Sequence, residues 1–183
     1  MKKIFIAALI CAMILPVSCD KLKESLSRDI PVNNVKFNFT ALTTDGVTTR
    51  SSATTNSFSV TRKVDISELG SSEVAEYAGK ISKVVVNNSL LKITTTPSGS
   101  YTVTDVTISA ENVSGSLVIP SYSLGGDFTA PANMNSFTTA FIMKLLSAKS
   151  ITVSVSGKTD APAGTSIQIS YENDLVFTAG LLE

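Results

Sequence analysis

Apolar and polar residues alternate over most of the chain after its N-terminal segment. Val35, Phe37 and Phe39 alternate with Lys36 and Asn38, which is the period of two expected of a half-buried strand. The same period, in runs rich in Val, Ile and Thr, predicts further strands over residues 58–66, 82–87, 89–96, 101–110, 114–120, 151–158 and 165–182. The pattern therefore predicts an all-β chain of about seven to nine short strands.

Local signals place interruptions inside this pattern. Asn87-Asn88 predicts the turn of a hairpin between two strands, and Asp45-Gly46 lies in a long polar loop. The alternation changes phase near Asp105, which predicts a β-bulge there. Pro120 is expected to end its strand, and Glu172-Asn173-Asp174 to bulge or turn within the last strand or pair of strands.

Two segments change to the helical period. Residues 67–81 place apolar side chains three and four positions apart, and residues 135–149 are mostly apolar, so each predicts a short helix. Their candidate N-caps are Ser71 or Ser72 in the first segment and Asn135 or Ser136 in the second. The expected fold class is an all-β, immunoglobulin-like antiparallel β-sandwich of about seven to nine strands with two short helices, and a jelly roll is the runner-up.

The N-terminus follows a different pattern. A basic start, Met1-Lys2-Lys3, precedes an unbroken apolar run from Ile4 to Leu15. This run has the length of a signal-peptide core and falls short of the ~20 residues that span a bilayer. Residues 1–18 are therefore predicted to be a signal peptide that directs the chain out of the cytoplasm.

Cys19 follows the small residue Ser18 and precedes a charged stretch. The segment resembles the lipobox of bacterial lipoproteins, in which the cysteine thiol is acylated and becomes the new N-terminus, although Pro16 stands where the usual pattern has Leu. The resemblance implies lipid attachment at Cys19. The alternative is an ordinary secretory signal cut near Ser18, with Cys19 a bystander.

The cysteine count favours lipidation. Cys11 lies inside the apolar run and would be removed with it, so Cys19 is the only cysteine left and an intramolecular disulfide is impossible. A lone exposed thiol is a liability in an oxidising compartment, and acylation removes that liability. Two or three acyl chains give stable anchoring, whereas one chain is marginal.

The broader resemblance is to Gram-negative lipoproteins with β-sandwich domains, and it implies a cell-envelope location. The chain is expected to divide into a signal peptide (1–18), a tether (19–34) and a single β-sandwich domain (35–183). The outer membrane is favoured, on its periplasmic or its surface-exposed face. The inner membrane is the alternative location, because Asp20 directly after the cysteine resembles the inner-membrane retention signal of enterobacterial lipoproteins.

Composition narrows the possible chemistry. The chain has no histidine, which removes Ser-His-Asp triads, Cys-His pairs and His-ligated metals. Once the signal lysines are removed, thirteen basic residues face fifteen acidic ones, a net charge of −2, so nucleic acid is not an expected partner. The carboxylate pairs Glu73/Glu76 and Glu172/Asp174 fit solvated helix-start and turn positions. We expect no catalytic residues, no metal and no cofactor.

The leading hypothesis is a non-enzymatic lipoprotein, held to the membrane by its N-terminal lipid, with a structural role or a binding role toward a protein or glycan. One alternative is a fimbrial or adhesin subunit whose strand completes a neighbour's sheet. Another is a sugar- or lipid-binding lipoprotein, with a concave and partly apolar site near Tyr122 or under the helix predicted at 135–149. The ligand-binding candidate is Tyr122, in the loop-like stretch SYSLGGD. The competing explanation is a tyrosine packed on a sandwich edge.

Overall fold

A computed structural model describes residues 27–45, 55–125 and 128–180. The strands in this part of the chain are β1 Ser27–Thr44, β2 Asn56–Asp65, β3 Ile81–Thr96, β4 Thr102–Ala110, β5 Leu117–Ser123, β6 Ser150–Thr159 and β7 Ser166–Gly180. The helices are α1 Ser72–Tyr77 and α2 Met134–Ala148, and a 3₁₀ helix covers Ile66–Leu69. All strand pairings are antiparallel, so the predicted all-β architecture with two helices is confirmed.

The strands form one curled sheet in the order β3-β7-β1-β2-β6-β4-β5. β3, β7 and β1 make a three-stranded half, and β2, β6, β4 and β5 make a four-stranded half. The halves join where β1 pairs with β2, a register that holds only Thr43 opposite Phe58 and Thr44 opposite Ser57. The remainder of β1 pairs with β7 instead.

Apolar side chains from both halves meet α2 in the interior, an arrangement compatible with a β-sandwich. Phe37 of β1 packs edge-on against Phe141 of α2 with ring centroids 5.0 Å apart, and Phe141 stacks on Phe137 at 6.3 Å. Full burial of such side chains contributes roughly 1.5–3 kcal/mol each. α2 also contacts β3 of the three-stranded half and β6 of the four-stranded half, so one helix packs against both halves.

β1 begins earlier than the sequence indicated. Residues 27–34, which we assigned to the tether, are strand residues paired with the end of β7, from Ser27 opposite Gly180 onward. The alternation is hidden there by a bulge at Asn34, whose positive φ of 58° and N–H bond to Asp174 Oδ1 (2.9 Å) interrupt the register. Of the residues before the bulge, only Ile30 is fully buried.

The predicted hairpin at Asn87-Asn88 is wrong, because β3 is one continuous strand that pairs with β7 along its length. The Asn pair marks a bulge, with a register shift between Val86 and Asn88. β7 likewise runs through Glu172-Asn173-Asp174 without a turn. The bulges opposite this stretch lie in the two neighbouring strands, β1 and β3. Pairing on both sides of β7 overrides the local turn signals.

Two further local predictions have opposite outcomes. The bulge at Asp105 is confirmed by its φ of 54° and by the register shift between Thr104 and Thr107 against β6. Pro120 does not end β5, which continues to Ser123. β5 lies at one end of the strand order, and an edge strand tolerates proline because the missing N–H can be one that would face away from the neighbouring strand.

The helix caps were predicted in part. Ser71 caps α1, because its Oγ accepts a hydrogen bond from Val74 N at 3.2 Å. The N-cap of α2 is Asn133, so the predicted caps Asn135 and Ser136 are wrong. Ser136 instead donates its hydroxyl to Asn133 O at 2.9 Å, inside the first turn.

Candidate functional site

Cys19 lies outside the described residues, so its acylation stays a prediction. The start of the described chain limits how far from the sheet an anchor at Cys19 can lie. β1 begins at Ser27, eight residues after Cys19, so a fully extended connection spans at most about 28 Å. Ser27 lies opposite Gly180, and we call this end of the sheet the proximal end.

Tyr122 lies on strand β5 and not in a loop. Its ring is half-buried and meets Phe128 edge-on, with centroids 5.9 Å apart. Both rings border a groove of about 680 Å³ between β5 and residues 128–131, which we call the Tyr122 groove. Val118, which is 45% exposed, and Pro120 add apolar surface to it. Ser121, Ser123 and Thr129 also line the groove, so its walls combine apolar rings with hydroxyl groups. Such a surface suits a small ligand with an apolar face and polar edges.

The space beneath α2, the second place at which a ligand was expected, is packed. Phe37, Phe137 and Phe141 close over it, and no volume there admits a water-sized sphere. The Tyr171 hydroxyl reaches this space and forms a hydrogen bond with the Thr138 hydroxyl. Burial raises the pKa of Tyr171, against the opposing effect of that hydrogen bond. This region is therefore part of the hydrophobic core.

Of the carboxylates named in pairs from the sequence, Glu73, Glu172 and Asp174 have structural partners. Glu73 on α1 forms an ion pair with Arg28 at 2.8 Å, which ties α1 to the proximal end of β1. Glu172 and Asp174 point from one face of β7, where Glu172 pairs with Lys36 at 3.1 Å and Asp174 accepts the Asn34 N–H. Within the described ranges, no cluster of three Cys, Asp or Glu side chains could hold a metal ion.

Arg62 occupies an inward-facing position of β2, below the two rungs that join β1 to β2. Its guanidinium forms a two-bond fork with the Glu68 carboxylate, at 2.9 and 2.8 Å, and lies 4.7 Å from the Phe39 ring centroid. Its Nε is buried without a hydrogen-bond partner. The sequence shows Arg62 as a break in an apolar face, but its partner Glu68 lies in a segment predicted to be helical, so the pair was missed.

The 3₁₀ helix positions Glu68. Asp65 caps this turn, accepting the Ser67 N–H at 3.0 Å, while Glu68 Oε1 accepts the Asp65 N–H at 3.1 Å. Burial alone would raise the pKa of Glu68, but hydrogen bonds from Arg62 and from the Asp65 backbone outweigh it and hold that pKa below its ordinary value. The pair with Arg62 therefore stays charged at neutral pH.

Opposite the proximal end, residues 160–165 between β6 and β7 form what we call the distal turn. Thr43, at the end of β1, donates its N–H to Thr165 O and accepts Gly164 N–H, both at 2.9 Å. Its Oγ1 donates to Pro162 O at 2.6 Å and accepts Thr165 N–H at 2.8 Å. Four hydrogen bonds from one threonine thus hold the distal turn against β1.

A second strand braces the same turn. Asn56, the first residue of β2, is buried and donates its side-chain amide to Ala161 O at 2.8 Å. Thr159 Oγ1 accepts the Ala161 N–H at 3.1 Å. The apices Pro162 and Ala163 nevertheless stay exposed. The distal turn is thereby fixed to β1 and β2 while its tip remains accessible.

Comparisons with known proteins identify no relative: no protein-family model matches the chain, and no curated protein or solved structure shows significant similarity. Among the described residues, neither helix combines the length and apolarity needed to cross a bilayer.

Proposed function

We propose that the chain is a lipoprotein of the Gram-negative cell envelope, anchored by lipid on Cys19, with a non-enzymatic structural or binding role. The observation that carries the proposal is the order of a basic start, an apolar run and Cys19 within residues 1–19. The start of β1 at Ser27 supports it, because the sheet then begins within about 28 Å of the acylated residue. In this account the immunoglobulin-like sandwich is the extracytoplasmic domain and the outer membrane its place.

The two cysteines provide a matched test. Cys19→Ser should abolish incorporation of labelled palmitate and block lipoprotein processing, so that the precursor keeps its signal peptide. Cys11→Ser changes the other cysteine, inside the signal, and should leave palmitate incorporation and processing unchanged. Globomycin, which inhibits the lipoprotein signal peptidase, should make the unprocessed precursor accumulate. A Cys19→Ser protein that still incorporates palmitate, or processing that globomycin leaves unaffected, would contradict lipidation.

The Tyr122 groove favours a second candidate, a lipoprotein that binds a sugar or a lipid. The phenol ring of Tyr122 can stack on an apolar sugar face or an acyl chain, and Phe128 widens that surface. Titration with soluble oligosaccharides and short-chain phospholipids, followed by NMR, should shift resonances of β5 and residues 128–131. Tyr122→Ser should abolish the shifts, while Tyr77→Ser on α1 should retain them. A panel that shifts no resonance would remove this candidate.

The edge position of β3 is compatible with the alternative of a fimbrial or adhesin subunit. In the described part of the chain β3 has a strand partner, β7, on one side only, and such an edge can accept a strand from another chain. The exposed Lys83 and Lys92 on β3 oppose pairing with a second copy of the same edge. SDS-resistant ladders in envelope extracts would favour a polymerising subunit, and a monomer by light scattering would count against it.

A further inference from the structure

We propose that the Tyr122 groove binds a neutral saccharide, that is, a sugar chain without carboxylate, phosphate or sulfate groups. One sugar ring would stack on an aromatic side chain while its hydroxyls bond to the groove walls. The proposal rests on the candidate function of sugar or lipid binding at this groove, and it chooses between those two classes of ligand. The charge of the groove, its hydroxyl groups and its aromatic pair each favour the sugar.

The charge of the groove differs from that of two other depressions on the sheet. One of them, about 360 Å³ on the outer face of the three-stranded half, is lined by Lys36, Lys92 and Glu172. Another, about 390 Å³ near the junction of β1 and β2, is lined by Asp105 and Lys158. Among the described residues that line the Tyr122 groove, none is charged. Proteins bind phosphates and carboxylates through Arg or Lys, so this groove does not suit a phospholipid head group or an acidic sugar.

The hydroxyl groups of the groove are free to bind a ligand. Ser121, Ser123 and Thr129 line it, and their side chains form no hydrogen bond with another residue of the described ranges. On the four-stranded half, by contrast, the Thr61 and Ser154 hydroxyls bond to each other at 2.9 Å. A hydroxyl both donates and accepts, as the hydroxyls of a sugar do. An acyl chain offers such groups no partner, and this favours a saccharide over a lipid tail.

The aromatic pair supplies the apolar surface against which a sugar ring packs. Tyr122 and Phe128 are half-buried, and their ring planes meet at 85° with centroids 5.9 Å apart. Such an edge-to-face contact covers one face of one ring only, so it leaves other ring faces to the groove. The volume of about 680 Å³ lies within the roughly 300–1,000 Å³ typical of small-molecule sites. A hexose has an apolar C–H face and a polar rim, and it therefore matches both kinds of wall.

NMR titration of the mature protein in lauryldimethylamine oxide micelles tests the proposal. The neutral probes are maltohexaose, xylohexaose and mannohexaose, and the acidic probe is hexagalacturonate. We expect at least one neutral probe to shift resonances of β5 and residues 128–131, and hexagalacturonate to bind at least about ten-fold more weakly because its carboxylates meet no cation. Hexagalacturonate that binds as tightly as the neutral probes, or shifts confined to other strands, would overturn the proposal.

Variants of the groove separate ring stacking from hydrogen bonding. Tyr122→Ser should weaken binding of the neutral probe by about ten-fold or more, and Tyr122→Phe should recover affinity to within about three-fold of the parent. The double variant Ser121→Ala with Ser123→Ala keeps the ring and should weaken binding by about three-fold or more. It also keeps the test open if Tyr122→Ser does not fold. Parent affinity in either the Tyr122→Ser protein or the double variant would overturn the proposed mode of binding.

Failure of the saccharide and failure of the candidate function give different results. A spin-labelled fatty acid in the micelles that broadens the β5 resonances, with no shift from any saccharide, would overturn the saccharide and leave lipid binding in place. No shift from any probe and no broadening would overturn both. Palmitate incorporation measures the lipid on Cys19 separately, so loss of the anchor does not affect this test.

Discussion

On one side of β1, backbone pairing with β7 continues from Ser27 to Leu42, whereas on the other side pairing with β2 covers only Thr43 and Thr44. Below those two rungs, the 3₁₀ helix contacts β1 and the Arg62–Glu68 pair lies against Phe39. The first flank is held by repeated backbone bonds, and the second by a few particular side chains. The β7 flank should therefore tolerate changes of exposed side chains but not of backbone, and the β2 flank should depend on two residues.

The largest effect is expected from breaking the backbone ladder at the centre of the three-stranded half. Gln168 is exposed on β7 and lies opposite Thr40 of β1 and Thr94 of β3. Gln168→Pro should cost at least about 3 kcal/mol, because proline removes a ladder hydrogen bond and clashes in a central strand. Urea unfolding measures the loss, and Gln168→Thr should stay within about 0.5 kcal/mol of the parent. A proline variant with an unchanged midpoint would contradict the account of this flank.

Arg62→Ala should give the next largest effect, about 1–2 kcal/mol, because it uncovers Phe39 and leaves the Glu68 carboxylate without its cation. The two side chains are 27% and 29% exposed, and solvent screening keeps the loss below that of a fully buried pair. A cycle with Glu68→Ala and the double variant should show a coupling of about 1 kcal/mol. Purely additive losses would mean that the Arg62–Glu68 pair does not hold β1 against β2.

The same pair predicts an acid-sensitive component of stability. The pKa of Glu68 is lowered in the folded protein relative to the ordinary 4.5, so its contribution is fully present above about pH 4.5. That contribution is lost as pH falls through the folded-state pKa, because the protonated carboxyl no longer pairs with Arg62. Stability of the parent should drop more steeply below pH 4.5 than that of Glu68→Gln. Parallel curves for the two proteins would show that Glu68 does not titrate with folding.

The smallest effect is expected from the ion pair on the β7 flank. Lys36 and Glu172 lie 3.1 Å apart on the outer face, and their side chains are 46% and 25% exposed. Lys36→Ala should change the free energy of unfolding by only a few tenths of a kcal/mol, since exposed pairs contribute little. A loss as large as that of Arg62→Ala would erase the distinction between the two flanks.

Sequence patterns predicted the elements whose signals are local. β2 and β6 were recognised from alternation, and the bulge at Asp105 from a change of phase within one strand. Asn87-Asn88 misled because a bulge inside a paired strand and a hairpin turn both favour such residues. Only the position of β7 beside β3 decides between them, and that contact is between residues more than eighty positions apart.

The site features divide in the same way. Tyr122 was recognised as an aromatic residue near a turn, but its groove depends on Phe128 and Pro131 folding back beside β5. The links from Thr43 to the distal turn join residues 119 and 122 positions apart, and no spacing in the sequence signals them. Cys19 is read from sequence alone, and it stays a prediction because it lies outside the described residues.

The most direct test of the lipid anchor is the intact mass of the mature protein purified from its native envelope, with protease shaving of whole cells in parallel. We expect a chain that begins at Cys19 and carries two or three acyl chains on that residue. Loss of the domain on shaving would place it on the cell surface. A chain cut near Ser18 with an unmodified Cys19 would contradict the anchor and mean a freely secreted or periplasmic domain.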